Sequence, residues 1–259
     1  RTDASIQANY GRFTETIDVF GHDYDADLTN VLGAALTLNR GDFGFRFAVQ
    51  QADLTFDIAV DEGYKTANLE LAALEASGTA SAVQIAEAEA AVVTAGEDLR
   101  DLDRALTAVE LFSLQNPGSE DLVGEFDLDN KKATFYNTAF TYNNGNYGLV
   151  VEAVSIEYES ALLLDTSSYL VSGSKRFGDI TYHATYSTSK DDLDSGLVGQ
   201  GQALLGQEGE DISMILGARY DYAAGTAIKF EIEHHDEKIH EAKPGNTAML
   251  YSVAVDMIF

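Results

Sequence analysis

Few residues in this chain have types and spacings that could do chemistry, and most of those are charged. His234-His235-Asp236 is the one cluster with the makeup of a general acid–base site. Adjacent histidines on a strand point to opposite faces, so at most one can enter a shared site. A strand end facing solvent and headgroups accounts for the cluster without catalysis. Asp191, Asp192 and Asp194 with Glu208, Glu210 and Asp211 have the oxygen-rich makeup of a calcium loop, but their spacing is not that of an EF-hand. They read as solvated loop acids, as do Asp23, Asp25 and Asp27. There is no cysteine, no glycine-rich phosphate loop, no metal-helix motif and no nucleophile elbow, and nothing calls for a cofactor.

A second set does physics rather than catalysis. Arg46, Arg176, Arg219 and Lys229, with Asp221, Glu231, Glu233 and Asp256, fall at alternate positions within otherwise apolar runs. Opposite charges facing across water set a transverse field that orients dipolar solutes and excludes apolar ones. In a narrow barrel the same residues would instead fill the interior as ion pairs. The net charge of −27 argues against nucleic-acid partners, which need a basic surface. It favours cation attraction at a pore mouth, divalent-ion bridging to lipopolysaccharide, or simple solubility.

The elements that would position these residues are strands. In the last run Met249, Tyr251, Val253, Val255, Met257 and Phe259 share one face, and Leu250, Ser252, Ala254, Asp256 and Ile258 the other. Ile228, Phe230 and Ile232 oppose Lys229, Glu231 and Glu233; Phe43, Phe45, Phe47 and Val49 oppose Gly44, Arg46, Ala48 and Gln50. The alternation predicts about ten strands, at 4–20, 28–39, 42–57, 131–143, 147–158, 167–177, 179–190, 212–222, 226–236 and 248–259. Short turns at 39–42, 143–146, 177–179 and 223–225 contain the Asn and Gly of hairpins. They alternate with longer connections at 21–27, 58–130, 159–166, 191–211 and 237–247. That parity is the pattern of a transmembrane antiparallel up-and-down β-barrel with short turns at one mouth and loops at the other. No apolar run approaches the roughly 20 residues of a membrane helix, and a barrel strand needs only about half that. Tyrosines and phenylalanines near turns and strand ends fit interfacial girdles.

Residues 64–112 interrupt the strands within an otherwise single barrel domain, 1–259. Val92, Ala95, Leu99, Leu102, Leu106 and Val109 recur as on one helix face. Ser77-Gly78-Thr79 breaks the stretch into a helical hairpin, with Thr79 or Ser81 as N-cap, and Asn116-Pro117-Gly118 ends it. The insert is expected to cap itself on the outside, to constrict a pore, or to dock a partner.

Leu250-Tyr251-Ser252-Val253-Ala254-Val255-Asp256-Met257-Ile258-Phe259 resembles the C-terminal strand of Gram-negative outer-membrane porins. Gly217-Ala218-Arg219-Tyr220-Asp221-Tyr222 followed by Ala227-Ile228-Lys229-Phe230-Glu231 is similar to the last hairpin of gammaproteobacterial porin-like proteins. The resemblance covers most of 131–259, covers 1–57 less fully, and leaves out 64–112. It implies a passive outer-membrane channel for small hydrophilic solutes, surrounded by outer-membrane lipid and lipopolysaccharide. It implies that Tyr251, Val253, Val255, Met257 and Phe259 form the signal read by the barrel-assembly machinery, and it allows a homo-trimer. It also implies about six strands ahead of Ala4, making about sixteen in all, which an intact mass of about 28 kDa would refute. Ten-stranded omptin proteases use acids with a histidine near the barrel top, but no matching acidic pair occurs in an early strand here. A non-conducting barrel that uses its helical loop to bind a partner is the competing expectation.

Overall fold

In the computed structural model, residues 2–19, 22–97, 99, 101–116, 122–205, 208–239 and 245–257 are described. The chain is a ten-stranded antiparallel sheet in strict sequence order, each strand pairing with the next. The strands are β1 (Thr2–Val19), β2 (His22–Arg40), β3 (Phe43–Phe56), β4 (Lys131–Asn143), β5 (Tyr147–Tyr158), β6 (Asp165–Phe177), β7 (Ile180–Asp192), β8 (Gly209–Ala223), β9 (Thr226–Ile239) and β10 (Asn246–Met257). The predicted up-and-down order therefore holds throughout. The sheet is not closed: it begins at β1 and ends at β10, and those two strands do not pair.

At the turn end the strands are joined tightly, and Gly41, Gly145, Gly178 and Gly225 each take a positive φ. These are the positions where the reversal requires a backbone that side chains disfavour. At the other end the connections carry helices: α1 (Glu62–Ser77), α2 (Ala82–Gly96), α3 (Asp101–Gln115) and α4 (Leu122–Phe126) between β3 and β4, and α5 (Gly196–Leu205) between β7 and β8.

Three expectations need correction here. Residues 22–27 are strand, not loop: β2 starts at His22, and Asp25 and Asp27 accept hydrogen bonds from Thr16 and Thr14 of β1. Tyr24 and Ala26 alternate with those acids and are buried, so this is a period-two strand whose charged face resembles a loop. The stretch from Val92 to Val109 is not one helix: α2 ends at Gly96 and α3 starts at Asp101. Gly96 is where the two segments separate, and the Tyr64 ring packs 3.1 Å from where its Cβ would be. The third is the connection 191–211: Asp191, Asp192, Glu210 and Asp211 extend β7 and β8 as strand, and the acid-free stretch between them is the helix α5. Of the two candidate N-caps, the cap is Ser81, in a capping box with Gln84, and Gly78 ends α1 in the left-handed conformation. The expected stop at Pro117-Gly118 lies outside the described residues.

Packing differs sharply between the two ends. Most of the sheet contributes nothing to a buried core. The core is a cluster at the loop end, where Tyr24, Ala26, Leu54 and Phe56 of the sheet meet Leu102, Leu106 and Val109 of α3, Leu122 and Phe126 of α4, Leu128, and Ala161 and Leu162 of the β5–β6 loop. Hydrogen bonds tie the insert down. The Leu102 N–H donates to the Tyr24 hydroxyl at 2.7 Å, Ala59 N–H to Asp103 Oδ1 at 2.9 Å, and Asp61 N–H to Thr107 Oγ1 at 2.9 Å. Buried Gln202 of α5 donates to the Ala161 carbonyl at 3.1 Å and accepts from the Asp194 N–H at 2.7 Å. The loops β3–β4, β5–β6 and β7–β8 thus form one cap.

Candidate functional site: one charged sheet face and the cap above it

Register fixes which side chains share a face. Arg176, Thr181, Arg219 and Lys229 lie directly across from one another on β6 to β9, in one row. Asp221 and Asp256 both flank Ala227, one row nearer the turns. Each carboxylate reaches back to the row of cations. Asp221 takes Arg176 at 3.0 Å and Arg219 at 2.8 Å; Asp256 takes Lys229 at 2.8 Å and Arg219 at 3.4 Å. Five of the eight charged residues singled out in sequence therefore form one continuous chain of ion pairs.

The other three stand apart from that chain on the same face. Glu231 meets His183 at 3.3 Å across β8. The residue between them is Gly217, where a Cβ would fall 2.1 Å from His183 Nε2 and 2.9 Å from Glu231 Cγ. Only glycine leaves room for that contact. Glu233 accepts from Ser213 at 2.7 Å. Arg46 lies on β3, in the row that runs through Ala139 to Glu152, and has no ion-pair partner among the described residues. Glu152 accepts from buried Asn137 at 2.5 Å. Farther from the turns this face carries hydroxyls, with Ser172–Thr185 and Ser168–Ser189 contacts of 2.8 Å.

The opposite face is apolar and uncovered. Phe45, Phe47, Phe140, Val151, Val171, Leu216, Phe230, Tyr251, Val253, Val255 and Met257 are all exposed on it. Toward the turns it carries a band of rings. Phe43 contacts Tyr142 and Phe140 with centroids 5.0 and 6.1 Å apart, and Tyr220 contacts Tyr222 at 6.1 Å. The Lys175 ammonium sits 4.9 and 4.6 Å from the Tyr147 and Phe177 ring centroids. Phe259 lies outside the described residues.

The histidine pair divides as strand geometry requires. His234 is flanked in register by Met214 and Met249 on the apolar face, while His235 lies on the charged face, 3.7 Å from Asp211. The expected loop acids are also dispersed: Asp192 pairs with Lys190 at 2.9 Å and Glu210 with Lys238 at 3.1 Å. Among the described residues no group of three His, Cys, Asp or Glu is placed to hold a metal.

Sequence reading missed the apolar zone on the charged face. At the loop end the two faces exchange character. Leu54, Phe56, Ala133 and Ile156 have the parity of Arg46, Thr141 and Glu152, while Asp25, Asp27 and Asp53 take the outer parity. The signal was present in Ala52-Asp53-Leu54-Thr55-Phe56, where the apolar phase inverts.

No family model matches the chain, and no curated protein sequence matches it. Solved structures do. They include a structure described as the outer-membrane expressed OmpT of Vibrio cholerae, with 11% identity and a TM-score of 0.46, over 95% of this chain and 63% of that one. An anion-selective porin from Comamonas acidovorans matches with 9% identity and a TM-score of 0.41, over 95% and 57%. OccAB4 of Acinetobacter baumannii matches with 10% identity and a TM-score of 0.36, over 97% and 61%. The chain therefore spans less than two thirds of the length of each of these structures.

Proposed function

We propose that these ten strands form an arc of an outer-membrane channel wall that lets small hydrophilic solutes diffuse passively, with preference for cations. The carrying observation is the division of one sheet into an apolar, ring-banded face and a face that carries the charges and hydroxyls, maintained from the turns up to the loop end, where the faces exchange character. An apolar face of this extent in water would be a severe aggregation hazard, whereas hydrocarbon solvates it. The charged face must then line water. The two unpaired sheet edges cannot stand in lipid, because every backbone N–H and C=O there needs a partner. The wall is accordingly completed by further strands.

Cation preference follows from how the charges are spent. Arg176, Arg219 and Lys229 exceed Asp221 and Asp256 by one positive charge, and Arg46 adds a second, but five acids on the same face outnumber these two. Glu152, Glu231, Glu233, Asp211 and Glu237 have no lysine or arginine partner among the described residues. The uncompensated field on this face is negative. Planar-bilayer recording should show stable conductance steps, with a reversal potential favouring cations and a preference that weakens in high salt. A folded but silent protein would refute the channel, and an anion-selective reversal potential would refute the charge argument.

One observation favours a second role for the insert. Helix α1 buries no residue, and Leu69, Val83 and Val93 of the α1–α2 hairpin are exposed. The hairpin is tied to α3 through Lys65–Glu110 at 3.0 Å and through Arg104, which donates to the Gly96 carbonyl. The hairpin is therefore available to a partner while α3 stays in the mouth. Deleting 62–96 tests this: higher conductance marks a constriction, and unchanged conductance with lost surface binding marks a docking element.

A further inference from the structure

The charged face carries a cavity of about 430 Å³ that ion conduction does not need. It lies on β1 to β5 at the loop end, lined by Phe13, Leu28, Leu54, Phe56, Phe135 and Tyr158 and bordered by Leu163 of the β5–β6 loop. That volume is within the range of about 300–1,000 Å³ typical of small-molecule sites, and a mainly apolar lining is equally typical. Left to water, these side chains would lose the hydrophobic stabilisation that burial gives the core beside them.

The polar groups at its rim differ in availability. Lys131, across from Leu54 in register, donates to the Gly124 carbonyl at 3.0 Å and is thereby turned toward α4. Glu15 is across from Ala26, which lines the cavity, and follows Phe13 by two residues on the same face. Its carboxylate is exposed and has no hydrogen-bond or ion-pair partner among the described residues. Directly opposed residues of an antiparallel pair have Cβ atoms about 5 Å apart, so the carboxylate reaches the rim.

We propose that this cavity is a binding site for amphipathic organic cations, taking an alkyl or aryl body among the apolar side chains and an ammonium group at Glu15. The inference rests on the channel reading for the face being the lumen. It deepens that reading by naming a class of solute held at the mouth rather than merely passed. An acidic mouth raises the local concentration of such cations, and the apolar wall selects among them by chain length.

The test is equilibrium binding to the purified full chain in lipid nanodiscs, with empty nanodiscs as the partition control. The probes are hexyl- and octylammonium, octanol and octanoate. Saturable octylammonium binding is expected, tightening about fourfold per methylene from hexyl to octyl. Octanoate should bind more weakly than octanol. Glu15→Gln should weaken octylammonium about fivefold and leave octanol unchanged. Ala52→Phe, which fills the cavity from its wall, and Leu28→Gln, which makes it polar, should each reduce both. Octanoate binding as tightly as octylammonium would overturn the charge assignment. Equal binding by Ala52→Phe, Leu28→Gln and the parent protein would overturn the site. Conductance recorded without amphiphile separates the two readings. A silent protein that still binds octylammonium saturably refutes only the channel, and a conducting one without saturable binding refutes only this site.

Discussion

Replacing Leu106 with alanine should release the helical cap from the sheet without disturbing the strands. Leu106 sits on α3 with 6% of its surface exposed, between fully buried Val109 and nearly buried Leu102. It belongs to the cluster that joins α3 to Tyr24 and Phe56. Truncating a buried leucine costs about 2–5 kcal/mol, least where neighbours can collapse into the space. The cavity bordered by Leu54 and Phe56 lies alongside, so the low end applies, about 2 kcal/mol. The strand ladder does not depend on this contact, because its backbone hydrogen bonds run between neighbouring strands, apart from the end of β3, where the Phe56 N–H donates to the Leu128 carbonyl at 3.1 Å. The loss is therefore confined to the cap. Amide hydrogen exchange should speed up about thirtyfold in α3, which is 2 kcal/mol at 1.4 kcal/mol per tenfold. Exchange in β6 to β10 should stay at the parent rate. Unchanged protection of α3 would show that the helix is held by something other than this cluster. Equal acceleration in α3 and β8 would show that cap and sheet unfold as one unit, and either result would refute the two-part account of packing.

Asp256→Asn removes the carboxylate shared by Lys229 and Arg219. Freed positive charge on the proposed lumen face should move the reversal potential toward anions, as measured across a salt gradient. Gly217→Val puts a side chain where the His183 imidazole lies and should break the His183–Glu231 contact. Because the imidazole can swing away from this half-exposed pair, the stability cost should be about 1 kcal/mol or less, as read from thermal unfolding. Ser81→Ala destroys the capping box at the start of α2 and should cost that helix about 1 kcal/mol, seen as faster exchange in its first turn alone. Hydrogen bonds to the Glu62 and Glu110 carboxylates hold the Lys65 ammonium above the usual lysine range. A raised folded pKa means that its support of the α1–α3 contact is fully present below pH 10.5 and is lost as pH rises through the folded value. Exchange in α1 should therefore accelerate only in strong alkali, and Lys65→Met should abolish that pH dependence.

Much of this was legible in sequence because a strand's side-chain period is local. Phe43, Phe45 and Phe47 against Gly44 and Arg46 need no knowledge of the fold to be sorted into two faces, and the Asn and Gly of the turns mark the reversals between strands. The same logic separated His234 from His235. Three features required distances that no periodicity contains. The ion chain from Arg176 through Asp221, Arg219 and Asp256 to Lys229 draws on four strands whose relative register is set by pairing. The contact of His183 with Glu231 exists because Gly217 leaves a gap between them.

The third feature is the packing that buries the inverted stretch at the loop end. There Leu54 and Phe56 turn inward because α3 and α4 come back over the sheet to bury them, from positions some fifty to seventy residues away along the chain. Sequence alone determined most of the strands, their order and, on the turn side of the sheet, the two faces, since each is a property of neighbouring residues. Tertiary structure decided where the core lies, which charges are spent in pairs and which acids remain free, because hydrophobic burial and ion pairing depend on what the folded chain places alongside each residue.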